Sequence, residues 1–276
     1  MNRLCEVAGV SRAGYYRFLL RGEAQEADMD LRSAIQTIAL EWPAYGYRRV
    51  HAELRQQGWL INHKRVLRLM RADNLLCLRQ RKFILTTDSK HQLPIYPNLA
   101  KDMVLTGIDQ LWVADITYIR LETEFVYLAV LLDAFSRRCV GWALERSLEA
   151  TLVLDALRMA LQQRRPRTGL VHHSDRGVQY ASRDYTQELE RSGIRISMSR
   201  RGNVFDNAMA ESFMKTLKYE EVYRTEYRNL EEAKACIKEF LEKVYNQKRL
   251  HSALGYRSPQ VFEQSLSVVR AQRGAA

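Results

Sequence analysis

The sequence predicts an α/β fold, a mixed sheet flanked by helices and preceded by a small all-α module. Three observations carry this reading. Residues 28–72 hold three short segments of helical apolar period, broken at Pro43, Gly46 and Gly58. Residues 111–144 hold three β-rich runs joined by short connections. Beyond Leu148, helical segments alternate with short apolar strands.

In order, residues 1–25 read as a partial helix-turn-helix-like arm. Gly9 separates two apolar stretches, and Ser11 is placed to cap a helix from Ala13 to Leu20. A plain helical hairpin fits the segment equally well. In residues 28–85, Asp28 or Asp30 caps a first helix with Leu31, Ile35, Ile38 and Ala39 as its apolar positions. A second helix runs from about Tyr47 to Gln57, with Val50 and Leu54 on one face and Gly58 at its end. Asn62 caps a third, which turns Val66, Leu69 and Met70 inward and leaves Lys64, Arg65, Arg68 and Arg71 mostly on the other faces. Three short helices with a basic third helix, flanked by Arg48, Arg49, Arg79, Arg81 and Lys82, are the pattern of a DNA-binding module. A solvated basic helix is the plainer alternative. Residues 86–104, with Pro94 and Pro97 and no clear period, read as a linker.

Residues 105–265 read as the sheet-bearing domain and 266–276 as a tail. Leu111 to Ile119, Phe125 to Leu132 and Arg138 to Leu144 make an antiparallel meander. A helix from about Leu148 to Gln163 follows, then a short strand from Gly169 to His172. A helix from Ser182 to Ser192, a strand from Ile194 to Met198 and a long helix from about Val204 to Tyr219 complete the series. The order βββαβαβα is that of the ribonuclease H-like fold. Helices from Leu230 to Asn246 and around Pro259 to Gln264 close the chain.

The chain has 276 residues, with 43 Lys+Arg against 32 Asp+Glu, a net charge of +11. Residues 1–100 carry 16 basic and 9 acidic side chains, so the excess is concentrated in the helical module. A strongly basic chain suits a polyanion, most often nucleic acid. The strongest apolar run, Val126 to Leu132, is too short to cross a bilayer, so no membrane partner is expected. The first residues show no charged-then-apolar signal pattern, and the expected location is cytoplasmic. The cysteines Cys5, Cys77, Cys139 and Cys236 have no C-x-x-C spacing, which argues against a zinc cluster or a disulfide framework.

Three carboxylates occupy informative places. Asp115 is the one acid inside an apolar strand, Asp175 follows a short strand at its carboxyl end, and Glu211 lies in the last helix of the sheet domain. The gaps between them are 59 and 35 residues. In-line displacement at a phosphodiester uses two divalent ions about 3.5–4 Å apart, and Mg²⁺ takes hard oxygen ligands. Each acid alone has a structural reading, but this fold brings all three together. Asp133 is a rival to Asp115, with structural partners in Ser136, Arg137 and Arg138. Asn203 and Asp206 read as helix caps. Lys215 and Lys218, four and seven residues after Glu211, share its helix face and are expected to hold the DNA backbone. Arg200 and Arg201 lie in a loop before that helix and are expected to touch DNA, as are Lys64, Arg65 and Arg68. Asn207 and Gln179 sit near the acids as candidates for touching DNA or orienting a carboxylate. His172 and His173 read as packing or supporting groups.

These motifs resemble the DDE transposases of the IS3 insertion-sequence family, specifically the product of the second reading frame, and more distantly retroviral integrases. The resemblance covers nearly the whole chain. It rests on Tyr45 to Leu54, Trp112 to Tyr118, His173 to Tyr180, Asp206 to Phe213 followed by Lys218, and Tyr245, Asn246, Arg249, His251, Ser258 and Pro259. It implies that Asp115, Asp175 and Glu211 bind two Mg²⁺ ions, with Mn²⁺ as the alternative. It also implies 3′-end nicking at terminal inverted repeats and attack by the freed 3′-OH on another phosphodiester. The first transfer would join the element's own ends, and the partners would be those ends, target DNA and further copies of the chain. The family's complete transposase is often a frameshift fusion with an upstream frame that carries a coiled coil. That heptad segment is missing here, so an upstream-frame protein or fusion is a further expected partner. A structure-selective nuclease or resolvase on the same fold, or a non-catalytic DNA-binding regulator, would share many of these features.

Overall fold

The computed structural model describes residues 9, 11–16, 28–77, 93–200 and 206–274. The chain divides into two compact units, Met1–Gln80 and Arg81–Ala276. Of the expected N-terminal arm, residues 12–16 are helical; the remainder lies mostly outside the described residues.

The first unit is built from α1 (Met29–Glu41), α2 (Tyr47–Gln56) and α3 (His63–Ala72). Their buried residues are Leu31, Ile35 and Ile38, then Val50 and Leu54, then Val66, Leu69 and Met70. The C-termini of α2 and α3 close in the same way. Gly58 (φ 91°) and Asn74 (φ 58°) take left-handed backbone. The following N–H groups, of Trp59 and Leu75, then reach back to the carbonyls of Leu54 (2.9 Å) and Met70 (2.8 Å). Asn62 caps α3 as expected, its Oδ1 accepting the Lys64 N–H at 2.8 Å. Asp28 does not cap α1. Its buried carboxylate instead accepts from Arg65 Nε at 2.9 Å and from Arg68 at 3.1 Å, which ties the start of α1 to α3. An ion pair between Arg32 and Asp73 makes a second tie.

The second unit holds β1 (Leu111–Arg120), β2 (Phe125–Asp133), β3 (Cys139–Glu145), α4 (Ala150–Arg164), β4 (Val171–Ser174), α5 (Val178–Ala181), α6 (Arg183–Arg191), β5 (Arg195–Met198), α7 (Ala208–Leu217), α8 (Leu230–Glu239) and α9 (Pro259–Gly274). The sheet order is β3-β2-β1-β4-β5. The meander β1-β2-β3 is antiparallel, and β4 and β5 join it in parallel. This is the mixed sheet expected from the element order.

Period-two alternation gives the sheet two apolar faces. Val113, Ile119, Val126, Leu128 and Val130 pack with Phe213, Leu217 and Ile237. Trp112, Ala114, Ala129 and Leu131 pack with Leu152, Leu157, Tyr185 and Leu189. On β3 a Cβ at Gly141 would stand 2.2 Å from the Ala156 carbonyl oxygen, so α4 lies directly on the strand.

Three helices differ from expectation. The expected Val204–Tyr219 helix is α7, which passes into a π-helical turn over Lys218–Val222. The expected Leu230–Asn246 helix is α8 followed by a π-helical stretch, Phe240–Lys248. The helix α9 runs past residue 265, the expected end of the domain, and its first turns are anchored. Phe262 meets Phe135 at 5.6 Å, and Glu263 is held by Ser136, Arg138 and Arg164.

Candidate active site

Asp115 stands in β1 opposite Val130. The parallel pairing of β1 with β4 ends at Val113 opposite His173. Carried two residues further, that register sets Asp175 beside Asp115. Asp175 is held by a local turn in which its Oδ1 accepts the Gly177 N–H at 2.9 Å. Asp115 Oδ1 accepts the N–H of Ile116 at 2.9 Å. Glu211 lies in the first turn of α7, where the helix dipole favours a negative charge. Asn207, the residue before α7, donates its Nδ2 to the Ala114 carbonyl at 3.3 Å and so fixes the start of the helix against the strand next to Asp115.

The electrostatics report the gathering. Burial pushes the Asp115 carboxyl up to about 8, the charge on Asp175 adds to this, and Glu211 contributes further. The Ile116 N–H and Lys218 act the other way. The Lys218 ammonium is pushed down by burial and supported by Asp115. Its Nζ sits 4.5 Å from the centre of the Tyr118 ring. Among the described residues no three His, Cys, Asp or Glu side chains stand at the spacing of ligands to one ion. The acids are neighbours that share one field rather than a cage drawn onto a point.

The groups around them are structural. Asp133 is fully buried and accepts the N–H of Ser136 (2.7 Å), the Ser136 hydroxyl (3.0 Å) and the N–H of Asp109 (2.6 Å), so it shapes a turn as its neighbours suggested. His173 is bound between the hydroxyls of Ser197 (2.8 Å) and Ser199 (3.1 Å). His172 meets the Tyr185 hydroxyl at 2.8 Å, and burial followed by His173 lowers its pKa to about 3, which keeps it neutral. Gln179 donates to the Leu148 carbonyl at 2.9 Å and joins α5 to the approach of α4.

Asp206 is not a helix cap. Its carboxylate accepts the Arg200 N–H at 2.8 Å and the Arg200 guanidinium at 2.9–3.0 Å. Arg200 is therefore an exposed cation already paired. Arg201 and Asn203 lie outside the described residues. Lys215 is exposed one turn beyond Glu211. In the helical unit Lys64 is exposed, whereas Arg65 and Arg68 carry the ion pairs to Asp28. Sequence reasoning named Tyr180 only as the end of a motif and gave it no role. It is buried against His172 and Tyr185, and its phenol is pushed up by burial, by Tyr185, and by Asp115 and Asp175. Its hydroxyl is buried without a hydrogen-bond partner among the described residues; an aromatic residue shortly after an acid motif was the available signal.

Comparison with known proteins follows the two units. The integrase core domain family matches residues 106–204 and again 192–259, and the HTH-like domain family matches residues 25–83. The insertion element IS600 uncharacterized 31 kDa protein of Shigella sonnei is 40% identical over 265 residues, covering 95% of this chain and 97% of that one. Transposase InsF for insertion sequence IS3A of Escherichia coli (strain K12) is 36% identical over 269 residues, covering 95% and 93%. Among solved structures, the HTLV-2 integrase catalytic core domain in complex with magnesium (trimeric form) is 15% identical with a TM-score of 0.43, covering 56% of this chain and 96% of that one.

Proposed function

From the premise that this chain belongs to the IS3 family of insertion-sequence transposases, we propose that Asp115, Asp175 and Glu211 are its catalytic acids. The chain is a DNA transposase of the DDE type, a polynucleotidyl transferase. The observation that supports the assignment is the convergence of the three acids: Asp115 and Asp175 lie two residues past the last β1–β4 pair, Val113 opposite His173, and Asn207 ties the start of the helix bearing Glu211 to Ala114 beside Asp115. Burial and the neighbouring acids raise the Asp115 pKa, as expected of a carboxylate placed among like charges. The donor set is all carboxylate oxygen, which fits a hard divalent ion. Asp115, Asp175 and Glu211 would hold two such ions, Mg²⁺ or Mn²⁺. Bound there, the ions would supply Lewis-acid stabilisation to the attacking and leaving oxygens of an in-line displacement.

The chain's own residues do the rest. Lys218 and Lys215 neutralise backbone phosphates beside Glu211. Asn207 and the Gly177 N–H keep Glu211 and Asp175 in place. Nicking breaks one phosphodiester with water and frees a 3′-OH. Strand transfer then exchanges that hydroxyl for another at a second phosphodiester. Because each transfer conserves one ester bond, no nucleotide cofactor is consumed. The helical module at residues 28–85 takes the element's terminal inverted repeats, and the domain at 105–265 does the chemistry on ends and target. Two ends need at least two protomers, with an upstream-frame segment as a further partner in the cytoplasm.

The test is joining. A donor duplex carrying an end of the chain's own element with a pre-cut 3′-OH is incubated with target DNA and Mg²⁺. Joined product is expected from the intact protein and not from Asp115→Asn, Asp175→Asn or Glu211→Gln. Full joining by all three variants overturns the assignment of the acids. Hydrolysis without joining would favour a nuclease instead.

A further inference from the structure

Beside Lys218 the surface turns aromatic. Tyr118 lies three residues beyond Asp115 on β1, under the Lys218 ammonium. Phe125, at the start of β2, meets Tyr118 edge-on at 5.7 Å and has the Arg120 guanidinium 6.0 Å from its ring centre. Tyr223 closes the π-helical turn that Lys218 opens and meets Tyr219 edge-on at 5.6 Å. The Tyr223 N–H donates to the Lys218 carbonyl at 2.8 Å, which sets Tyr223 in the turn whose first residue covers the Tyr118 ring. Phe125 is 50% exposed and Tyr223 56% exposed. These rings give little to the core.

Two cations, Lys218 and Arg120, stand at these rings. The nearby acids are already engaged: Glu220 by Arg249 at 2.7 and 2.8 Å, Glu221 by the Tyr227 hydroxyl at 3.0 Å, and Glu124 by Arg146 at 3.0 Å. Lys218 and Arg120 are the cations that stand at the rings themselves. Open aromatic faces beside cations suit single-stranded nucleic acid, because bases stack on the rings while cations meet the phosphates. A paired duplex hides its base faces and would gain little from such a surface.

We propose that Phe125 and Tyr223, backed by Tyr118 and Tyr219 and charged by Lys218 and Arg120, form a stacking ledge for unpaired bases of the DNA strand next to the scissile phosphate. The proposal rests on the transposase reading, because that reading puts a DNA end at Asp115. Its role is to hold a frayed end open. The ledge offsets the lost stacking of the terminal pairs and gives the backbone room to reach the acids.

The test uses the full chain and two probes of one sequence. One is a blunt duplex, and the other has three unpaired 3′ nucleotides, one of them 2-aminopurine. Base–aromatic stacking predicts tighter binding of the tailed probe by about tenfold, with 2-aminopurine fluorescence quenched on binding. Phe125→Ala with Tyr223→Ala should abolish the preference and the quenching while blunt-duplex affinity stays. Tyr223→Trp should keep both signals. Equal binding of the two probes by the intact protein overturns the ledge. So does a double variant that keeps preference and quenching, or one that weakens both probes alike. Joining activity without a tail preference sinks the ledge alone. A tail preference without joining sinks the transposase reading and leaves a single-strand site.

Discussion

Asn207 donates its side-chain amide to the carbonyl of Ala114 at 3.3 Å, and this bond ties the helix that carries Glu211 to the strand that carries Asp115. The two acids come from elements 93 residues apart in sequence at that contact. Asn207→Ala removes the strap and leaves the acids chemically intact. Loss of one hydrogen bond should cost about 1 kcal/mol of stability. Misplaced reacting groups cost far more in rate, so kcat for joining should fall by about tenfold or more with KM for DNA unchanged. Equal losses in kcat and melting temperature, repaired together by Asn207→Gln, would make the role purely structural.

Asp28 separates two kinds of basic residue on α3. Arg65 and Arg68 serve its carboxylate, whereas Lys64 is exposed and its side chain has no ion pair among those of the described residues. Lys64→Ala should leave the melting temperature unchanged and reduce the slope of log affinity against log salt by about 1. Arg65→Ala should destabilise the helical unit, because a buried carboxylate loses a partner. Denaturation followed by helix signal checks the second, and binding titrations at three salt concentrations check the first. A Lys64→Ala protein with an unchanged salt slope would remove that residue from the DNA contact.

The apolar pattern of the chain was readable because burial selects side chains residue by residue. Leu31, Ile35 and Ile38, and the apolar run from Leu111 to Ile119, mark their elements without reference to anything distant. Asp115 was legible for the same reason, as an acid where an apolar residue belongs. Asp133 was distinguishable by Ser136 close behind it. What was not legible depended on partners far along the chain. Asp28 has the local pattern of a helix cap, but Arg65 and Arg68 arrive from 37 and 40 residues away. Asp206 differs in that its partner is near: it looks like a cap until Arg200, six residues earlier, folds back onto it. Tyr118 and Phe125 read simply as strand residues, and only the assembled sheet shows which rings stay open.

Gly141 marks the closest approach of α4 to the sheet. A methyl group there would lie 2.2 Å from the Ala156 carbonyl oxygen and 2.8 Å from the Ala160 Cβ. The atoms it would meet are α4 backbone and an alanine Cβ, so no flexible side chain can move aside and the helix must shift as a body. Gly141→Ala should therefore destabilise the sheet domain by about 1–3 kcal/mol, the opposite of the usual gain from removing a strand glycine. Thermal unfolding compared with Gly169→Ala would read this. Gly169 (φ 101°) has open space but strained backbone, so its cost has a different origin. A neutral Gly141→Ala would show that α4 rides further from β3.

Glu263 anchors α9 through three groups at once: the Ser136 hydroxyl at 2.7 Å, Arg164 at 2.8 Å and Arg138 at 2.9 Å. Burial alone would push its carboxyl up. The hydrogen bond and charge of Arg164, with Ser136 and Arg138, outweigh burial and hold it below the ordinary glutamate value. A depressed folded pKa means that the stabilisation is fully present above the unfolded value, near about 4.3, and is lost as pH falls through the lower folded value. At neutral pH, Glu263→Ala leaves Arg164 buried with one partner fewer and should cost about 3 kcal/mol. Glu263→Gln keeps the shape and removes the charge, so its urea midpoint should match the parent's more closely as the pH drops below about 4. Parallel stability curves for parent and Glu263→Gln across that range would show that the carboxylate charge does not hold the helix.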